Sequence, residues 1–215
     1  MSIRSVQEIC VGYLWIILAL TVHEWGHAYV ADRFGDATPR IEGRLTLNPL
    51  AHISIIGTVI VPLAILFLSP KFIIMGWGLP VAINANNFKY RKLGDFFCSM
   101  AGPFMNFLLG MLILLLGFAI RKYVGSTSFW HLCVRGSLIN ISLGIFNLLP
   151  IPPLDGAHVL KIIAGMKEEI FAALSTLGNF LLIVLINFQI FRYCFARVCN
   201  FIFAQFLSVG KFLFF

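Results

Sequence analysis

Long uncharged runs alternate with short charged ones along this chain. No Asp, Glu, Lys or Arg occurs in 45–70, 72–88, 96–120, 136–154 or 170–191. A bilayer-spanning helix needs about 20 mostly apolar residues, and at least three of these runs reach that length. A further run, 9–22, is shorter and continues into a histidine cluster. The pattern predicts a first helix over about 5–34, broken by Gly35 and Asp36, with Pro39 following. Apolar segments follow at 53–68 (interrupted by Gly57 and Pro62), 96–120, 129–149 and 170–191. Pro150, Pro152 and Pro153 break the segment 129–149. The apolar, Phe-rich tail at 195–215 is expected to span the membrane or lie in its interface.

The run 72–88 (FIIMGWGLPVAINANNF) reads differently. Gly76, Gly78 and Pro80 punctuate it, and Asn84, Asn86 and Asn87 close it. An extended or hairpin-like segment fits better than a helix. The expected fold is an all-α polytopic membrane protein, a bundle of about 5–6 transmembrane segments. A re-entrant or extended membrane-associated segment is expected around 50–88. One membrane-embedded domain is expected over 1–215, with a catalytic core at about 5–160 and C-terminal apolar helices at about 170–215. No inserted or appended domain is expected.

Composition supports the membrane class. The chain is 60% hydrophobic and 12% charged, against about 25% charged in soluble domains. Its net charge of +7 raises the question of nucleic acid. The basic residues, however, sit at the ends of apolar segments: Arg33, Arg40 and Arg44; Lys89, Arg91 and Lys92; Arg121 and Lys122; Lys161 and Lys167. That placement is membrane topology and snorkelling, so no nucleic-acid partner is expected. The five cysteines show no CxxC spacing and read as small core residues. The N-terminus lacks the marks of a cleavable signal, since it has one early basic residue, Arg4, and no small-residue cleavage site.

The chemistry starts at His23-Glu24-Trp25-Gly26-His27, an HExxH sequence on the first helix. Residues four apart share a helix face, so two imidazoles can grip one Zn²⁺. Glu24 can then reach a water on that metal as general base. The alternative is a helix end with two surface histidines, but the motif directly continues an apolar helix, where ionisable groups are costly and functional by default. A catalytic zinc usually takes three protein ligands. Glu42 lies in a polar loop and the next glutamate is Glu168, so no second helical Glu is suitably placed. Arg33 stands where the extended three-histidine pattern needs a third His. Asp32 and Asp36 read as the polar end of the first helix, and Asp95 as an acid at a helix start. Asp155 follows a long uncharged run and three prolines. It reads as the third ligand or as the N-cap of a helix starting near Ala157, with the ligand reading preferred.

These residues resemble the site-2 protease family of intramembrane metalloproteases. The first motif matches the family's HExxH. The stretch 147–156 (NLLPIPPLDG) matches every defined position of its N-x-x-P-x-P-x-L-D-G motif. GRLTLNPLAH at 43–52, GWGLPVAIN at 76–84 and AGPFMN at 101–106 also look like the family. The resemblance implies one zinc per chain, held by His23, His27 and Asp155, with Glu24 as base. It also implies that Asn147 sits in the active site and binds the substrate carbonyl or oxyanion. Asn106 is read as structural, in a close helix contact beside Gly102 and Pro103. His52, His131 and His158 are read as interface or capping residues, with His158 also able to sit behind Asp155 on the same helix face.

His23 and Asp155 must meet. Four full crossings before Asp155 would put them at opposite membrane faces, so one segment should enter and leave on the same side, and 50–88 is the candidate. Residues 45 and 90 are then expected on one side. The basic residues at 33–44, 89–92 and 161–167 would share that side, which makes it cytoplasmic, in a multi-pass protein of the bacterial cytoplasmic membrane. The expected reaction is hydrolysis of a peptide bond in or near a transmembrane helix of a substrate membrane protein. The rivals are a metal-binding transporter and an inactive protease-like scaffold. A transporter would need polar residues along several helices and has no special need for Glu24; a dead scaffold has no reason to keep three ligands and a base. Oligomeric state stays open.

Overall fold

The structure is a computed structural model. It describes the backbone of 3–9 and, in full, residues 10–61, 64 and 77–214. Helix α1 (Ile3–Arg33) carries the histidine motif in its C-terminal third. It ends where Gly35 adopts φ 108°, a left-handed conformation that favours glycine. A Cβ there would also press on the Asn87 carbonyl, at 3.1 Å. A short helix, α2 (Thr38–Ile41), follows with Pro39 in its first turn.

The long helices are α3 (Arg91–Tyr123) and α4 (Thr127–Asn147), then, after the proline turn and the short α5 (Asp155–Ala164), α6 (Glu168–Asn187) and α7 (Gln189–Phe214). Helices α3 and α7 outrun the segments predicted for them, because polar residues at helix ends still satisfy backbone hydrogen bonds, whereas α4 and α6 start two residues early and stop two to four residues short of theirs. The tail, open between spanning and interfacial readings, is a helix of spanning length and apolarity. Among the described residues, α3, α4, α6 and α7 are long and apolar enough to cross a membrane, and no strand occurs. The chain is an all-α, multi-pass integral membrane bundle.

The centre is formed by α1, α3 and α4, with α3 packed against both of the others and against α5. Small residues let these helices approach closely. A Cβ on Gly110 would lie 3.2 Å from Asn140 Cβ, and one on Gly117 would lie 2.7 Å from Cys133 Cβ. Such contacts matter in a bilayer, where apolarity alone does not drive helices together.

The expected second apolar segment lies partly outside the described residues, as do 72–76 of the expected extended run. What is described fits the expectation. Ile55–Ile60 forms a π-helical turn, 77–84 has no regular secondary structure, and Ala85–Asn87 forms a single 3₁₀ turn. The segment is anchored at one end of the bundle: the Lys89 amide donates to the Phe34 carbonyl (2.9 Å) and the Asn84 amide to Asp36 Oδ2 (2.7 Å). The chain therefore leaves the end of α1 and returns to it before α3 begins. Since α3 runs away from that end and α4 runs back, Asp155 arrives at the level of the histidines.

Candidate active site

His23 and His27 project from one face of α1 into the angle between α1 and α3. Both are buried. His23 Nδ1 lies 2.7 Å from Asn106 Oδ1, and His27 Nδ1 lies 2.7 Å from the Cys98 carbonyl oxygen. A carbonyl only accepts, so the His27 proton sits on Nδ1. Asn106 is oriented too, because its Nδ2 donates to the Ala19 carbonyl (3.0 Å) and to Asn140 Oδ1 (3.3 Å). That leaves Oδ1 to accept from His23. With its Nδ1 engaged in this way, each ring turns its Nε2 to the site.

Those nitrogens converge. The two Nε2 atoms are 3.1 Å apart. Asp155 Oδ2 is 3.3 Å from one and 3.4 Å from the other. This oxygen is buried and has no hydrogen-bond partner. Three electron-rich atoms face one another at close range, an arrangement that a cation relieves. A tetrahedral site with metal–ligand distances of about 2.0–2.1 Å has ligand–ligand edges of about 3.3 Å, so this donor set fits one zinc ion. Gly102 of α3 forms the floor: a Cβ there would collide with Nε2 of both rings.

Asp155 reaches the site because the proline turn ends there. Leu154, not Asp155, is the N-cap of α5, and it makes no side-chain capping bond. Asp155 sits in the first helical turn and turns its carboxylate to the histidines, so the N-cap reading is not what the fold uses. Glu24 points away from α1 into a cavity of about 1430 Å³ that His23, His27, Asn147 and Asp155 also line. Its Oε2 accepts the Val81 amide N–H at 3.0 Å. The irregular 77–84 stretch thus runs directly beside the motif.

One sequence reading changes. Asn106 is more than a helix contact, since it holds the ring of His23. Asn147 lines the cavity, but its Nδ2 donates to its own helix at the Leu143 carbonyl, 3.0 Å away. His158 also lines the cavity, with its ring against Phe171 at 4.6 Å between centroids. His52 is buried in the loop region, where its Nε2 meets the Thr46 carbonyl at 2.9 Å. The residues missed from sequence are Gly102, as the space beside both rings, and Asp36. Asp36 Oδ1 accepts from Thr38 (2.6 Å) and Asn87 (2.8 Å), which fastens the cavity-lining segment to the end of α1. The GD pair after the motif carried a turn signal but nothing of that reach.

Comparisons with known proteins agree with this site. The profile of Peptidase family M50 matches residues 119–186, a stretch that holds Asn147 and Asp155 but not His23 or His27. YwhC of Bacillus subtilis is 34% identical over 155 residues, 68% of this chain and 65% of YwhC. Rip2 of Mycolicibacterium smegmatis is 30% identical over 191 residues, 86% of this chain and 70% of Rip2. Rip2 of Mycobacterium tuberculosis is 30% identical over 174 residues, and the chain spans 63% of its length. All three names contain the words zinc metalloprotease. No solved structure gives a significant match. The profile match and the relatives together define the class, an M50-type membrane protein. The chain belongs to peptidase family M50, the site-2 protease family.

Proposed function

We propose that this chain is a zinc endopeptidase that cuts a peptide bond in or near a transmembrane helix of another membrane protein. The observation that carries the reading is the convergence of His23 Nε2, His27 Nε2 and Asp155 Oδ2 in a cavity that Glu24 shares. These three residues would hold the ion. When bound, zinc supplies a Lewis acid and brings the pKa of a water down to about 7.

The protein groups do the rest. Glu24 takes the proton of the attacking water and passes it to the leaving amine. Its Oε2 is held by Val81, which fixes the carboxylate while the other oxygen serves the proton. Asn147 spends one N–H on Leu143, and its second N–H can meet the oxyanion that develops on the scissile carbonyl. Trp77, Leu79, Val81 and Asn84 spend their amides within the protein, and the remaining peptide groups of 77–84 offer an edge to an unwound substrate strand. An apolar groove of about 480 Å³ shares Leu20, Leu143, Phe146 and Ile186 with the larger cavity, which provides a path from lipid to the polar site. Arg33, Lys89, Arg91 and Lys161 cluster toward the end of the bundle where α1 stops, and by the positive-inside rule that end is cytoplasmic.

The test is cleavage of a panel of membrane-spanning substrates by purified protein in detergent. Wild type is compared with Glu24→Gln and with chelator-treated protein. Expected is cleavage by wild type and a loss of about 10²–10⁴-fold in Glu24→Gln with about one zinc per chain retained. Undiminished cleavage in Glu24→Gln would overturn the base and the site with it.

A further inference from the structure

We infer that Asn179 on α6 is a substrate-binding residue that grips the peptide backbone of the unwound substrate segment. The inference rests on the protease reading and extends it to a helix that the motifs do not touch. Asn179 lies in the middle of an apolar span and lines the same cavity as Glu24, Asn147 and Asp155. Other polar side chains of α6 turn back on their own helix. Ser175 donates to the Phe171 carbonyl (2.9 Å) and Asn187 to the Ile183 carbonyl (2.8 Å). Asn179 makes no such bond among the described residues. Its neighbours Leu177 and Phe180 are exposed and apolar, as a lipid-facing surface should be. An unpartnered amide at that depth is costly unless a partner arrives.

The register of Asn179 is set by its neighbour. Gly178 is buried against the Pro152 carbonyl so closely that any Cβ would collide with it. Pro152 lies three positions before Asp155 (155 − 152), so α6 is pinned to the turn that delivers this carboxylate. One residue further along a helix is a rotation of about 100°. That rotation carries Asn179 from the turn to the cavity wall. Apolar Leu182, Ile183 and Ile186 continue that wall and suit the side chains of a membrane segment.

A primary amide offers two N–H donors and a carbonyl acceptor. An extended peptide offers the complementary groups, whereas a helix has spent them internally. Asn179 therefore favours the unwound form of a substrate over the helical one.

The experiment uses the full chain with Glu24→Gln in detergent. The probe is a dye-labelled Leu/Ala peptide of about 25 residues, with and without a central Gly-Pro pair. Adding Asn179→Leu is expected to weaken binding of the Gly-Pro peptide about tenfold and to leave the uninterrupted helix unchanged. Asn179→Gln, which keeps the amide, is expected to bind within about threefold of its parent, and zinc content is expected to stay constant. Equal binding by Asn179→Leu and its parent overturns the inference. So does equal weakening for both peptides, or zinc loss in either variant, since those mark a structural role. If wild type leaves the peptide uncut while the binding difference persists, the protease reading fails and the binding residue stands.

Discussion

Helices α3 and α4 differ from α6 and α7 in what they bury, although all four are long and apolar enough to span. In the most apolar window, 39% of residues are buried in α3 and in α4, against 17% in α6 and 11% in α7. Hydropathy does not predict this order, because α6 scores 2.1 and α4 only 1.3. Polar residues do. Asn106, Ser137 and Asn140, on the inner pair, are fully buried, while Asn179, on the outer pair, is exposed. Lipid is as apolar as leucine, so a bilayer sorts helices by packing and hydrogen bonding and not by apolarity. Buried asparagines mark the centre, and an unpaired one marks a cavity wall.

The sharpest way to break this comparison is at the site that the inner helices build. Gly102→Val on α3 fills the space beside both imidazoles, so zinc per chain, read by metal analysis, is expected to fall from about one to near zero. An unchanged zinc content would show that the inner helices do not shape the site. Next in size is truncation of the inner core. Leu114 is fully buried, and Leu114→Ala is expected to cost about 2–4 kcal/mol in detergent unfolding. Asn106→Ala should cut metal affinity or activity about 10–100-fold, since His23 loses the group that holds its ring. A variant with intact affinity would return Asn106 to a purely structural role.

The loop end gives a smaller, pH-dependent effect. Burial raises the Asp36 carboxyl, but hydrogen bonds from Thr38, Asn84 and Asn87 outweigh it and hold the group below its ordinary value. A lowered folded pKa adds stability that is complete above the unfolded value of about 4 and lost as pH falls through the folded one. Wild type should therefore lose stability on acidification below about pH 4, and Asp36→Asn should lose that slope at a cost of about 1–2 kcal/mol at neutral pH. The smallest effect is expected on the outer pair. Leu177→Ala removes a side chain that is 68% exposed, and its stability in detergent should change by less than about 0.5 kcal/mol. A large loss there would mean that α6 carries a protein contact on its outer face.

Much of the site was legible because its signals are local. The i, i+4 spacing of His23 and His27 puts two imidazoles on one helix face whatever the rest of the chain does. Asp155 stood out because a carboxylate at the end of an apolar run is expensive. Asn147 was set apart by the motif it opens, but nothing local tells Asn106 from Asn140, since each is one asparagine in an apolar helix. Only the angle of each helix to its neighbours tells which one meets a histidine. Gly102 was read as helix packing, and its part in the site is visible only once both rings are placed against it.

The sequence by itself determined the membrane class, the positions of the long helices and the residue types available to a metal. These depend on runs and spacings of a few residues, where backbone geometry alone links one position to the next. The tertiary structure decided what those residues meet. Asp155 reaches His27 across 128 positions (155 − 27), because the chain between α1 and α3 returns to the end it left and α4 runs back to it. Val81 reaches Glu24, and Gly178 reaches Pro152, by packing of the same kind. No local pattern encodes such distances: they follow from how close small residues let neighbouring helices come, and that closeness exists only in the assembled bundle.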